Sequence, residues 1–172
     1  MTGDRYLLRR ARRDEIDVLR HIEQAAAQRF RATAFDWVAD AEPGDVTHLI
    51  VALASDSLLV ADMGGLPVAF LQAGIVDRTA YVAEVDVLPD HAGHRLAGRL
   101  FDAIEPWARD HALSHLTLST FRDIPWNAPY YRRLGFRDLD DLGPGLSAIR
   151  DRHRAAGLQD QDRVFMWRAV SH

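Results

Sequence analysis

The sequence predicts a mixed α/β (α+β) fold in which helices cover both faces of a mixed sheet, and three observations carry that prediction. Apolar runs at 58–61 and 66–76 flank a turn containing Gly64-Gly65. A strand pattern at 79–88 stops at Pro89 and leads into an amphipathic helix. Beyond it, strand and helix patterns alternate. A chain of 172 residues that is 48% hydrophobic can bury one ordinary core, so a single domain, 1–172, is expected.

Tyr6 to Leu8 form a short strand candidate. Asp14 is positioned to cap a helix whose apolar residues Ile16, Leu19, Ile22, Ala26 and Phe30 recur at helical spacing. After the loop around Pro43-Gly44, Asp45 can cap a second helix running to about Leu53. The hairpin follows, with glycine supplying the positive backbone angle of its turn. Asp77-Arg78 connect to the strand Thr79–Leu88, with Tyr81, Ala83, Val85 and Val87 on one face and Val82, Glu84, Asp86 and Leu88 on the other. Leu96, Leu100, Ile104, Trp107 and His111 line one side of the next helix. A strand at 115–120, a short helix capped by Asn127 and a strand starting at Leu134-Gly135-Phe136 come next. Gly143-Pro144-Gly145 read as a turn, 146–156 as a polar helix and Val164–Val170 as a closing strand, whose apolar edge could pair across a homodimer.

Composition narrows the chemistry. There is no cysteine, which excludes disulfides, thiolate metal sites and a thiol nucleophile. All 21 basic residues are Arg, scattered among 25 acids for a net charge of −4, which argues against nucleic acid as a partner. None of the eight His has metal-ligand spacing, so no metal is expected. Mean hydropathy is −0.20, no run of 18 apolar residues occurs and the start MTGDRYLLRR lacks an apolar signal core. A cytoplasmic protein without a membrane partner is expected.

The segment VDVLPDHAGHRLAGRL, 85–100, is a strand that ends at proline and turns through small residues into a helix. First-turn amides point outward there, and the helix dipole adds roughly half a positive charge, an arrangement suited to phosphate or pyrophosphate. A second segment, PWNAPYYRRLGF at 125–136, places Tyr131 five residues before Phe136. Together these segments resemble the GNAT superfamily of N-acetyltransferases, and the resemblance extends over nearly the whole chain. In that family the loop reads R/Q-x-x-G-x-G/A. Here Ala92 replaces the Arg or Gln, Gly93 is retained, Arg95 replaces the central glycine and Ala97 fits its slot. A non-glycine residue can still present its amide if its angles are helical. Arg95 then either reaches a phosphate or, like Arg99, lies solvated on the helix.

The resemblance implies a mostly antiparallel mixed sheet with a splayed central strand pair, 81–88 and 115–120, that admits acetyl-CoA as acyl donor. It implies that Ala92, Gly93, His94, Arg95, Leu96, Ala97 and Gly98 hold the pyrophosphate. The backbone at Val85 and Val87 would hold the pantetheine arm and polarise the thioester. Asn127 would contact the pantetheine, cap its helix, or do both. Tyr131 occupies the position whose hydroxyl serves the departing thiolate, with Tyr130 as the alternative and ring packing as the plain reading. Glu84 or Asp86 would take the amine's proton, Glu84 being preferred, unless both merely face solvent or pair with Arg. Phe30, Phe35, Trp37 and Trp126, near Asp36, Asp40 and Glu42, would make an apolar wall suited to a cationic small-molecule or peptide amine. The implied activity is direct acetyl transfer to a primary amine. The alternative is a coenzyme- or ligand-binding regulatory module without turnover.

Overall fold

Helix-period stripes and hairpin turns place the elements in the computed structural model, which describes residues 5–171. Residues 1–4 and 172, the ends of the single domain expected above, lie outside the described residues. In chain order the elements are β1 (Leu7–Arg10), α1 (Ile16–Ala27), α2 (Val46–Ala54), β2 (Leu58–Met63), β3 (Leu66–Val76) and β4 (Thr79–Val87), then α3 (Leu96–Asp110), β5 (His115–Phe121), α4 (Ala128–Arg133), β6 (Arg137–Asp138), α5 (Pro144–Ala155) and β7 (Arg163–Ala169). The seven strands form one mixed sheet in the order β1-β2-β3-β4-β5-β7-β6. The β1–β2, β2–β3, β5–β7 and β6–β7 ladders are antiparallel. β4 and β5 run parallel and pair only at Ala80↔Leu116 and Tyr81↔Thr117, the parting of central strands that the resemblance implies. Among the described residues no helix is long and apolar enough to cross a membrane.

By contacts the chain divides into two compact units. One comprises the residues through Ala73 together with Glu84–Trp107, and the other comprises Gly74–Ala83 together with the residues from Ala108 onward.

In the first unit the α1 stripe of Ile16, Leu19 and Ile22 packs with Leu49 and Ala52 of α2 and with Leu58, Val60 and Phe70 of the β2–β3 hairpin. Each large apolar side chain buried there contributes about 1.5–3 kcal/mol. Beside this core Arg9 Nη2 lies 2.6 Å from both Glu15 Oε1 and Asp62 Oδ2, tying β1 to β2 and to the entry of α1. Glu15 and Asp62 are both buried; without Arg9, Glu15 would keep Arg12 at 2.7 Å, whereas Asp62 would keep Gly65 N–H at 2.7 Å. Asp45 caps α2 as expected, accepting from Thr47 N–H at 2.8 Å. Asp14 does not cap α1. It lies inside a 3₁₀ turn, Arg13–Glu15, and the longer Glu15 side chain folds back to accept from Arg12 N–H at 2.7 Å. The α3 stripe buries Leu96, Leu100, Ile104 and Trp107, but α3 ends at Asp110. His111 is therefore exposed, just before Ala112 at φ +55°.

In the second unit β7 pairs with β5 along its whole length and with β6 at Trp167 and Met166. The closing strand expected to offer a free edge is therefore interior. β6 begins at Arg137 rather than Leu134, because Leu134, Gly135 and Phe136 instead close α4, with Gly135 at φ +89° and Phe136 N–H bonded to Tyr131 C=O at 3.1 Å. Gly143-Pro144-Gly145 is not a separate turn, since α5 starts at Pro144. Asp77 explains why: its two carboxylate oxygens accept from Gly145 and Leu146 N–H, each at 2.8 Å. A side chain at Gly143 would put a Cβ 2.6 Å from Asp77 Oδ2. Asp77 itself sits at φ +48° in the β3–β4 turn.

Asp77→Gly relieves that backbone angle yet removes the cap. It is expected to lower the urea-unfolding free energy by about 1 kcal/mol, with Asp77→Asn losing less. A glycine variant as stable as the parent would contradict the capping role.

Candidate active site

At the junction from β4 to α3, Pro89–His91 form a 3₁₀ turn, Ala92 to Arg95 are exposed, and Gly93 lies at φ +83°. Arg95 departs from expectation. Its backbone is left-handed, φ +58°, not right-handed helical. The chain thus holds an Arg in the conformation that the family's central glycine would adopt freely, at a cost of about 1–2 kcal/mol. The first helical bond runs from Arg99 N–H to Arg95 C=O at 3.0 Å, so the amides of Leu96, Ala97 and Gly98 precede it and have no partner within the helix. A Cβ at Gly93 would meet nothing within 4 Å; its positive φ alone favours glycine.

Tyr6 holds this loop, a role its place in a short strand did not reveal. Its hydroxyl lies 3.0 Å from His91 Nδ1, and its ring centroid is 5.4 Å from that of His94. Its carbonyl accepts from Arg99 Nη2 at 3.1 Å, so Arg99 braces the loop rather than lying solvated.

On β4, Val85 and Val87 are partly exposed, whereas Glu84 and Asp86 share a face with buried Ala80 and Val82. The Asp86 residue as a whole keeps some exposure, yet its Oδ2 is sealed from water and has no hydrogen-bond partner. Burial raises its pKa well above the ordinary 3.8. The charge and hydrogen bond of Glu84 add to this, as does Glu23, and Arg29 opposes them. Glu84 and Asp86 therefore titrate as a pair rather than as two separate acids. Glu23 is also raised, by burial, against the opposing Gly44 N–H bond at 2.9 Å and the charge of Arg20. Sequence reasoning missed Glu23, although its position four residues after Leu19 and three before Ala26, beside the apolar stripe of α1, is the signal that could have found it.

In the second unit Tyr131 is buried in α4, its ring centroid 6.0 Å from Phe136 and 5.9 Å from Tyr130. Tyr130 is more exposed and lies under the Arg133 guanidinium. Asn127 stands at the start of α4 but does not cap it. At φ −106° and ψ −118° its side chain turns away, and Nδ2 donates to Thr120 Oγ1 of β5 at 2.8 Å. Its Oδ1 is buried without a partner, an acceptor suited to an amide N–H such as pantetheine carries.

The residues expected to recognise an acceptor are not all available. Phe30 is core, Trp37 is 47% exposed, and Asp40 is engaged by Arg31. Phe35 and Trp126 are partly buried, and Asp36 and Glu42 are exposed.

A parted parallel strand pair, a proline-ended strand opening onto helix amides and a tyrosine five residues before Phe136 define an acetyltransferase fold. The Acetyltransferase (GNAT) family description matches residues 16–136, and the chain belongs to that family. Among solved structures it is similar to Ard1 from Thermoplasma volcanium, with 17% identity, a TM-score of 0.71 and coverage of 98% of this chain and 100% of that one. The PaiA N-acetyltransferase from Thermoplasma acidophilum, solved in complex with coenzyme A, shows 12% identity and a TM-score of 0.69, covering 95% of this chain and 98% of its own. A GNAT-family acetyltransferase from Staphylococcus aureus Mu50 shows 14% identity and a TM-score of 0.72, covering 96% and 99%. At these identities the likeness is one of fold.

Asp86 holds its proton more tightly in the folded protein than in the unfolded chain. Its contribution to stability is fully present below the unfolded value of 3.8 and is lost as pH rises through the raised folded value. Asp86→Asn is expected to flatten that fall in stability above the ordinary carboxylate range. Urea titrations at stepped pH check this, and parallel profiles for parent and variant would contradict it.

Proposed function

We propose that this acetyltransferase moves an acetyl group directly from acetyl-CoA to a primary amine of a small molecule, peptide or protein terminus. The observation that carries the reading is the Glu84–Asp86 pair, in which burial and the neighbouring Glu84 raise the proton affinity of Asp86. An attacking amine must shed a proton, and a base whose pKa lies nearer to neutrality does this best. Glu23 adds a third carboxyl to the same cluster, which supports an acceptor that arrives as an ammonium.

In the proposed reaction the bound ammonium first loses one proton to solvent, and the neutral amine nitrogen then attacks the thioester carbonyl and passes a second proton to the Glu84–Asp86 pair. The C–S bond then breaks, the thiolate takes a proton from the Tyr131 hydroxyl, amide and free coenzyme leave, and the proton held by the carboxyl pair returns through solvent to the Tyr131 oxygen. A phenol of ordinary pKa about 10 is matched to a thiolate of similar basicity. The amides of Leu96, Ala97 and Gly98 would hold the pyrophosphate, with the exposed Ala92–Arg95 loop around it. The orphaned Oδ1 of Asn127 would accept from the pantetheine arm, and the backbone at Val85 and Val87 would polarise the thioester. With no cysteine in the chain, direct transfer needs no acyl-enzyme.

Purified protein is expected to release free thiol from acetyl-CoA only when a primary amine is supplied. Asp86→Asn combined with Glu84→Gln should lower turnover by about 10²-fold or more with coenzyme affinity kept. Tyr131→Phe should act on turnover in the same direction. Coenzyme binding without thiol release across an amine panel would assign the chain to a ligand-binding module instead.

Gly93→Val forces a β-branched residue into the left-handed region and is expected to weaken coenzyme binding by about tenfold, whereas Gly93→Asn, which tolerates that region, loses less. Calorimetry that finds equal affinity for the valine variant and the parent would remove the loop from the binding site.

A further inference from the structure

Residues of the second unit alone line a half-open cavity of about 160 Å³ that shares no residue with the site described above. Arg122, Arg150 and Arg163 line it with His153, and Leu158 and Phe165 supply apolar wall. Two of these guanidinium groups are built into the structure. Arg122 donates from Nε to Gln161 C=O at 3.2 Å and from Nη2 to Arg163 C=O at 3.0 Å. Arg163 donates to Ser119 Oγ at 3.1 Å and to Ser119 C=O at 2.9 Å. All four acceptors are neutral, so these bonds fix the cations without cancelling their charge.

Arg150 differs. Its Nε is sealed from water and has no hydrogen-bond partner, an uncommon and costly state for a charged donor. The lining carries two carboxylates to its three guanidinium groups, and the charge of Arg150 acts on one of them, Asp160. Asp160 is engaged by Arg154, which does not line the cavity, and Asp140 is exposed. Asp138, 3.9 Å from Arg122, is held at 2.9 Å by Arg132. His153 registers the resulting field: burial, then the charges of Arg163 and Arg152, lower its pKa to about 4, so at neutral pH it offers one donor and one acceptor and no charge.

We propose that this cavity binds a small organic carboxylate, with the carboxylate on Arg150 and its apolar body against Leu158 and Phe165. A planar guanidinium fork matches a carboxylate in shape, and the unpartnered Nε of Arg150 supplies a donor for one of its oxygens. The volume is far above the ~10–15 Å³ that one water needs and below the ~300 Å³ of pockets for larger ligands, which selects a compact acid over a nucleotide. The inference does not rest on acyl transfer, because binding here is read without coenzyme or amine.

The test is a titration of the full chain, followed by nitrogen-15 NMR of the arginine Nε–H and histidine ring signals, with sodium benzoate as probe. Benzyl alcohol and inorganic phosphate form the other two arms. Benzoate is expected to give saturable shifts at Arg150 and His153, benzyl alcohol none, and Arg150→Gln to weaken benzoate by about tenfold or more. Failure of benzoate to saturate by about 20 mM, a dissociation constant that corresponds to hardly any specific contact, would overturn the proposal. So would equal binding by Arg150→Gln. Saturation by phosphate but not by benzoate would also overturn it, in favour of an inorganic oxyanion site. If the variant does not fold, the parent titrated with benzoate and with its neutral analogue still decides.

Discussion

A carboxyl oxygen shut away from water beside a second carboxyl is the constraint on which the functional account depends. Asp86 sits on β4 with its Oδ2 sealed and without a hydrogen-bond partner, Glu84 acts on its carboxyl from the same face, and Glu23 of α1 raises its proton affinity further. Two neighbouring carboxylates cannot both ionise cheaply where the dielectric is low, and Asp86 accordingly holds its proton more tightly than a free aspartate. The same burial that costs stability at neutral pH raises the proton affinity on which the proposed base role depends.

The entry to α3 shows a second balance. An Arg stands where the family motif carries glycine, and the backbone keeps the left-handed path nonetheless. Strain of this kind persists only where the surroundings over-determine the conformation. Tyr6 supplies that determination through His91, His94 and Arg99, a set of contacts that grips the loop and the first turn of α3 from β1's doorstep. The loop with the altered motif is thus held by Tyr6, and the first-turn amides of α3 have no partner within the helix.

Much of this was legible in the sequence because it rests on periodicity and on turn chemistry. The α1 and α3 stripes, the Gly64-Gly65 hairpin, the Asp45 cap and the stop at Pro89 all follow from local rules, the shared face of the β4 acids follows from strand alternation, and Tyr131 was singled out by the family resemblance. What escaped depends on partners distant in sequence. Asp77 caps a helix 68 residues away, which turns a Gly-Pro-Gly turn into a helix start. Glu15 outreaches Asp14, and Asn127 prefers Thr120 to its own helix. Strand order is equally non-local, since nothing in Val164–Val170 reveals that β6 lies outside it. Glu23 was hidden because a charged residue beside an apolar stripe usually reaches solvent, and here burial holds it back.

The most direct measurement of the central claim is a carbon-13 NMR titration of the carboxyl carbons of Glu84 and Asp86 in the folded protein. The account predicts coupled, two-step titration, with the Asp86 carboxyl still protonated at pH values where a free aspartate, of pKa about 4, is ionised. Independent titration of both groups at their ordinary values would contradict it and leave β4 without its base.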